Sequence, residues 1–443
     1  MIWTTVLFLI TISILVAIHE FGHYWVARRC GVKVERFSIG FGPTIFKYKS
    51  KSGTEFVLSI VPLGGYVKML DSRVDDVSDE EKQYAFDQQS IAKRAAVISA
   101  GPIANFILAF LIYWVIAQVG IMTYPVKVGQ ILPGSVLSST NIPQGSELKS
   151  IAGIKVNDWR DVQLALVGEI GQNSMAIEYV PAGQNTPVTE QVNITDWNVD
   201  LDKEDPVTAL GLVPQRLKLL PILREVISGS AADKSGLQAG DKIISYNGIT
   251  LNDWDNFAST IEKGDTMSLN VEREGRTLSL KLTPEMRTVT GQDGQTIERG
   301  FAGLTPSTDA VVTQYNPLSA VWQGVKQTGF MMKVVVKSFY QLVTGALSLK
   351  NLSGPVTIAK TADQSASYGI VSYLYFLAFI SISLGIVNLI PLPMLDGGHL
   401  LFLLVEKIKG SPVSDQIQSV FYRIGFVLLM MVMGIALFND FSR

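Results

Sequence analysis

Between residues 2 and 27 the only ionisable side chains besides Tyr24 are His19, Glu20 and His23. On a helix, residues four apart project from nearly the same face. The string His19-Glu20-Phe21-Gly22-His23 therefore offers one metal ion two imidazole ligands and sets a carboxylate beside them as a base, the pattern of a zinc protease. The setting gives the pattern its weight. Polar groups inside an apolar span cost several kcal/mol in lipid, so they face protein or water and mark function. The same string on a soluble helix would be read first as a chance match.

A catalytic zinc takes three protein ligands and keeps a fourth position for water. Cys30 is the only cysteine, so the ligands must be histidine or carboxylate, and no intramolecular disulfide is available. Asp396, His399 and Glu406 are the candidates for the third position. Asp396 is preferred because it ends a charge-free run and sits within Asn388-Leu389-Ile390-Pro391-Leu392-Pro393-Met394-Leu395-Asp396-Gly397-Gly398. Two prolines and two glycines there break the helix, and bare backbone at membrane depth is tolerated only against protein or a cavity. His399 reads as a neighbouring histidine, and Glu406 as one half of an interfacial ion pair with Lys407.

The elements that must position these residues are apolar and long. The chain has 443 residues, 47% hydrophobic and 17% charged, a mean hydropathy of +0.28 and a net charge of -2. That balance fits a membrane protein with a sizeable soluble part and gives nucleic-acid binding no electrostatic support. A hydrocarbon core of about 30 Å needs about 20 helical residues. Spans are expected at 1–27, 95–121, 364–400 and 417–443, the last with Arg423 reaching toward the interface. The first run lacks a basic start and a small-residue cleavage site, so it is expected to be retained. Arg28, Arg29, Lys33, Arg36, Lys47, Lys49 and Lys51 follow it against Glu35 alone, which makes 28–94 cytoplasmic by the positive-inside rule and 401–416 a second cytoplasmic loop. Segments 32–39, 44–49, 55–61 and 66–70 alternate or are β-rich between glycine and proline breaks, predicting a small cytoplasmic membrane-associated β-sheet with an edge open to an extended peptide. A packing plug is the plainer reading of that sheet.

On the outer side the sequence repeats itself. Residues 134–159 and 229–254 align without a gap at an offset of 95, with nine of 26 positions identical. The second copy predicts a short helix capped by Ser230 and stopped at Gly236, then a strand closing on an Asn247-Gly248 turn. Its string GSAADKSGLQAGDKIISYNG resembles PDZ domains of bacterial proteases, so 122–214 and 215–306 are expected to be two tandem PDZ-like α+β domains, the first with an altered groove. They serve either as a size filter or as binders of peptide tails by strand addition. Residues 307–363 carry helical periodicity too interrupted by lysines to span, predicting an amphipathic helix on the outer membrane surface or packed on the bundle.

Together the HEFGH string, Gly101-Pro102-Ile103-Ala104-Asn105, the outer pair of repeats, Leu352-Ser353-Gly354-Pro355 and NLIPLPMLDGG resemble, over essentially the whole chain, the site-2 protease family of intramembrane metalloproteases. The resemblance implies a polytopic α-helical membrane protein of four spans in a bacterial inner membrane, with the PDZ-like pair in the periplasm. It implies that His19, His23 and Asp396 hold Zn2+, that Glu20 is catalytic, and that Asn388, Pro391 and Pro393 hold substrate near the site. The implied substrates are single-span membrane proteins of the anti-sigma factor type, already shortened on their outer side, and remnant signal peptides. Two other classes compete. A non-catalytic adaptor would be free to lose Glu20 or a ligand, and a metal transporter would show more polar residues along its spans.

Overall fold

The computed structural model describes residues 2–442 apart from 198, 200–203, 216–217 and 291–295. Its helices are α1 (Ile2–Arg29), α2 (Ile91–Val119), α3 (Trp159–Glu169), α4 (Pro206–Leu210), α5 (Ala231–Lys234), α6 (Trp254–Glu262), α7 (Pro317–Thr344), α8 (Pro355–Ser367), α9 (Ile370–Leu389), α10 (Asp396–Lys409) and α11 (Asp415–Ser442). Of these, α1, α2, α9 and α11 are long and apolar enough to cross a membrane, matching the four expected spans. Leu15, Ala109, Ile116, Met331, Leu377 and Ile382 form the buried centre of the bundle. Ser90 starts α2 by accepting from the Lys93 N–H, as an N-cap should.

The third span departs from expectation. Residues 364–400 are not one helix: α8 ends at Ser367, Gly369 turns the chain at φ +105°, and α9 ends at Leu389. Residues 390–395 are non-helical because Pro391 and Pro393 lack N–H donors and bar the residues before them from the helical region. The expected loop at 401–416 is mostly helix, since α10 continues to Lys409 and closes on a left-handed Gly410. Glu406 also has a different partner from the one expected. Arg94, at the start of α2, grips it with two nitrogens at 2.5 and 3.1 Å, both side chains being largely buried.

Strands β1 (Val34–Lys49) and β2 (Glu55–Met69) are doubly curled. Residues 34–39 pair with 65–69 on one side and with 55–58 on the other, while 44–49 pair with 55–59. The four expected segments thus form one sheet, antiparallel except where 36–39 runs alongside 55–58 in the same direction. Its glycine breaks are bends rather than gaps: Gly40 and Gly42 take φ of +87° and +85°. Phe41, Ile45, Phe46 and Tyr48 stand exposed along the outer limb.

The sequence repeat is a repeat of structure. Strand Glu147–Ile151, the two-residue strand after it and the start of α3 recur 95 residues later as Lys242–Tyr246, Ile249–Thr250 and the start of α6. Each helix is capped by an aspartate, Asp158 or Asp253. Ser230 caps α5 and Gly236 follows it at φ +81°, as read from sequence. In the second unit burial pushes the Asp241 carboxyl up, but two bonds from Arg273 and the Gln238 N–H outweigh it and hold the group below the usual range. Helix α7 packs on the bundle, Gly324 against Phe110, and binds the first unit: Gln341 Nε2 donates to the Gly168 and Ile170 carbonyls, and Lys337 pairs with Glu169 at 2.7 Å. Its other face leaves Trp322, Tyr340 and Val343 exposed.

The tight turn of each repeat needs a left-handed residue. Asn247 supplies it at φ 46° in the second copy, but Ala152 occupies it at φ 49° in the first. Left-handed backbone costs an ordinary residue about 1–2 kcal/mol, less for asparagine. Ala152→Asn is therefore expected to stabilise the first unit by about 0.5–1 kcal/mol, read as a raised midpoint in thermal unfolding of the full chain.

Candidate metal centre

The site begins where two helix backbones nearly touch. A Cβ built on Gly22 of α1 would lie 2.3 Å from the Ala100 carbonyl oxygen of α2, so only glycine permits this approach. His19, three residues before Gly22 on α1, and His23, the residue after it, face α2 and are buried, at 8% and 9% exposure. Gly101 provides the room for their rings, since a Cβ there would lie 2.3 Å from His23 Nε2 and 2.8 Å from His19 Cε1.

Asp396 arrives from the other side as the first residue of α10. The non-helical stretch before it folds back over the first turn of that helix. A Cβ on Gly397 would sit 2.1 Å from the Ile390 oxygen, and one on Gly398 would sit 2.4 Å from the Leu392 oxygen. Met394 adopts φ +73°, a strained setting for a side chain two residues from the carboxylate. The glycines read from sequence as helix breakers thus act here as spaces for carbonyl oxygens.

The three donors converge. His19 Nε2 lies 3.2 Å from His23 Nε2 and 3.2 Å from Asp396 Oδ2, and His23 Nε2 lies 3.5 Å from the same oxygen. Zinc with bonds of about 2.0–2.1 Å in tetrahedral geometry would set its ligand atoms about 3.3 Å apart. These spacings therefore match one face of such a tetrahedron. Asp396 Oδ2 is buried without a well-formed hydrogen bond, an orphan that a cation would satisfy. His23 Nδ1 donates to the Val97 carbonyl at 2.9 Å, which places its proton on Nδ1 and leaves Nε2 a lone pair. The residues present fit a zinc ion. Among the described residues this is the one group of three or more candidate ligands close enough to share a metal.

Glu20 is half-buried, within electrostatic reach of His19, His23 and Asp396. Gly65 of β2 lies against it: a Cβ there would stand 3.0 Å from Glu20 Cγ and 2.7 Å from the Ser38 oxygen. The far end of the sheet therefore reaches the centre. Asn388 is half-buried in the last turn of α9 and makes no side-chain hydrogen bond among the described residues. Pro391 is exposed, whereas Pro393 is buried against Gly425 of α11. His399 stands apart from the ligand set, with Nδ1 3.3 Å from the Tyr422 hydroxyl.

In the sequence Gly101 and Asn105 stand out only as members of the Gly101-Pro102-Ile103-Ala104-Asn105 string. Asn105 is wholly buried, and its amide lies 3.1 Å from His19 Nδ1. An amide side chain in a charge-free apolar run was the available signal.

Comparison with known proteins extends this picture. The model of peptidase family M50 matches residues 7–432. "Protease RseP" of Yersinia pestis is 46% identical and "Regulator of sigma-E protease RseP" of Escherichia coli strain K12 is 45% identical, each alignment covering 100% of this chain and 99% of the relative. A Vibrio cholerae protein named as a zinc metalloprotease is 41% identical over the same shares.

Gly101→Ala is expected to drive a methyl group into the His23 ring and abolish stoichiometric zinc in the purified protein, measured by elemental analysis, while α-helical circular dichroism persists. Asp396→Asn, which removes the anionic ligand but keeps the shape, is expected to retain only a small fraction of the native zinc affinity.

Proposed function

Because the chain belongs to peptidase family M50, the site-2 proteases, and is a zinc metalloprotease, we propose that it cuts the membrane segments of single-span proteins with His19, His23 and Asp396 as ligands and Glu20 as base. The observation that carries this reading is the convergence of three donors, two of them on a helix long and apolar enough to span a membrane. Bound there, zinc would supply Lewis-acid activation of a water and of the scissile carbonyl.

The chain's own residues do the rest. Glu20 takes the proton of the attacking water and delivers it to the departing amine nitrogen. The dry walls around His19 and His23 keep bulk water from competing for the ligand positions. A helical amide is shielded by its own hydrogen bond, so substrate must be drawn out as an extended strand. Residues 65–69 end the sheet beside Glu20, and a strand added along that edge would pass the base. Asn388, with its amide uncommitted, would hold substrate backbone, with the exposed Pro391 beside it as an apolar contact. Pro393 acts by packing the loop against α11.

The outer repeats choose what arrives. A cavity of about 630 Å³ lies between the first unit and the ends of the spans, lined by Arg160, Asp161, Tyr113 and Tyr375 among others. A space of that size admits a short stub, not a folded domain, which supports the size-filter role. The second unit keeps an open groove of about 380 Å³ between α6 and the 300–306 stretch, suited to a peptide tail. In the first unit α4 packs on α3, with Gln163 bonded to Asp205. We therefore assign tail binding to the PDZ-like unit at 215–306 and filtering to the one at 122–214.

Relatives named regulators of sigma-E point to a single-span anti-sigma factor as the native substrate, with remnant signal peptides as a second class, in a bacterial inner membrane with the repeats in the periplasm. Glu20→Gln is expected to keep full zinc and lose cleavage of a model single-span substrate by at least 1,000-fold in reconstituted vesicles. Persistent cleavage by that variant would overturn the assignment of the base. Removing 127–304 is expected to leave cleavage of a pre-shortened substrate intact and to admit full-length substrates, compared in the same vesicles.

A further inference from the structure

We propose that Asn105 is a positioning residue for the metal centre: it accepts from His19 Nδ1–H through Oδ1 and thereby holds the imidazole with Nε2 free to ligate. The inference rests on the three-ligand site proposed above and concerns a residue outside it. Asn105 is wholly buried on α2, and the end of its amide that faces the ring, placed as Nδ2, lies 3.1 Å from His19 Nδ1.

The two ends of an amide are alike in shape, and only hydrogen bonding tells them apart. With Nδ2 toward the ring, as placed, the amide donates to Nδ1, and the neutral imidazole carries its proton on Nε2. That proton would point at His23 Nε2 and Asp396 Oδ2, at 3.2 Å each, where a metal needs a lone pair. With Oδ1 facing the ring, Nδ1 keeps the proton and Nε2 presents its lone pair. His23 has this arrangement already, through the Val97 carbonyl. The two histidines are thus tuned alike, one by a backbone oxygen and the other by a side-chain oxygen, both on α2.

Asn105 is itself held in register. The Ser381 hydroxyl of α9 donates to the Asn105 backbone carbonyl at 2.8 Å, tying the third span to the residue that orients the first ligand. A ligand's outer partner of this kind is worth about 10–100-fold in metal affinity.

The test uses the full chain in detergent and measures zinc affinity by competition with a chromophoric chelator, with thermal unfolding of the metal-free protein as the fold control. Asn105→Leu keeps the size and removes the acceptor, and Asn105→Ala removes it without any possible clash. Both are expected to weaken zinc about 10–100-fold. Asn105→Asp restores an oxygen at the same place and is expected to stay within about threefold of native, a rescue that a merely space-filling role would not give. Native affinity in a folded Leu or Ala variant would overturn the proposal, as would an Asp variant as weak as Leu. If the Leu variant aggregates, Ala decides. His19→Ala separates the two levels: should it bind zinc as tightly as native protein, the metal-site reading itself fails. Loss of zinc there alongside native affinity in Asn105→Ala rejects the role of Asn105 alone.

Discussion

The close approach of α1 and α2 is the constraint on which the centre depends. Two imidazoles can be buried in an apolar bundle only if every ring nitrogen has a use, because an unpartnered polar atom there costs a large share of a protein's net stability. The missing side chains of Gly22 and Gly101 bring α2 near enough to supply those uses. The Val97 carbonyl and the Asn105 amide take one nitrogen of each ring, and the remaining pair meets Asp396. Widening the gap by one methyl group would separate the helices and strand both rings.

The carboxylate reaches this pair by a different device. Pro391 and Pro393 end the helical run, and Gly397 and Gly398 let the freed strand lie across the next helix with its carbonyls nearly touching backbone. The chain thus turns back within the bundle and presents a helix start, rather than a helix side, to the histidines.

Much of this was legible in the sequence because membrane burial makes polar residues conspicuous. His19, Glu20 and His23 needed only their spacing and apolar flanks, and Asp396 only its lone position at the end of a charge-free run. The duplicated units were legible because a 95-residue offset survives without a gap through cap, turn and strand. Other features were hidden for physical reasons. Hydropathy treats 364–400 as one apolar stretch, although Gly369 and the prolines divide it, since the residues at these breaks carry no charge to mark them. Glu406 seemed paired with its neighbour Lys407, because a partner 312 positions away in Arg94 leaves no local trace. Gly65 beside Glu20 had no signal at all, since a glycine in a turn string looks the same whether it faces solvent or a carboxylate.

The bidentate grip of Arg94 on Glu406 then has a mechanical meaning. Ten residues separate Glu406 from Asp396 along α10, a lever of about 15 Å at 1.5 Å per residue. Tilting that lever by about one degree about the ion pair would carry the Asp396 end sideways by about 0.3 Å. Metal–ligand bonds tolerate departures of only about 0.2 Å. One degree of tilt at the far end of α10, well away from any reacting atom, would therefore be comparable with the whole tolerance of the centre.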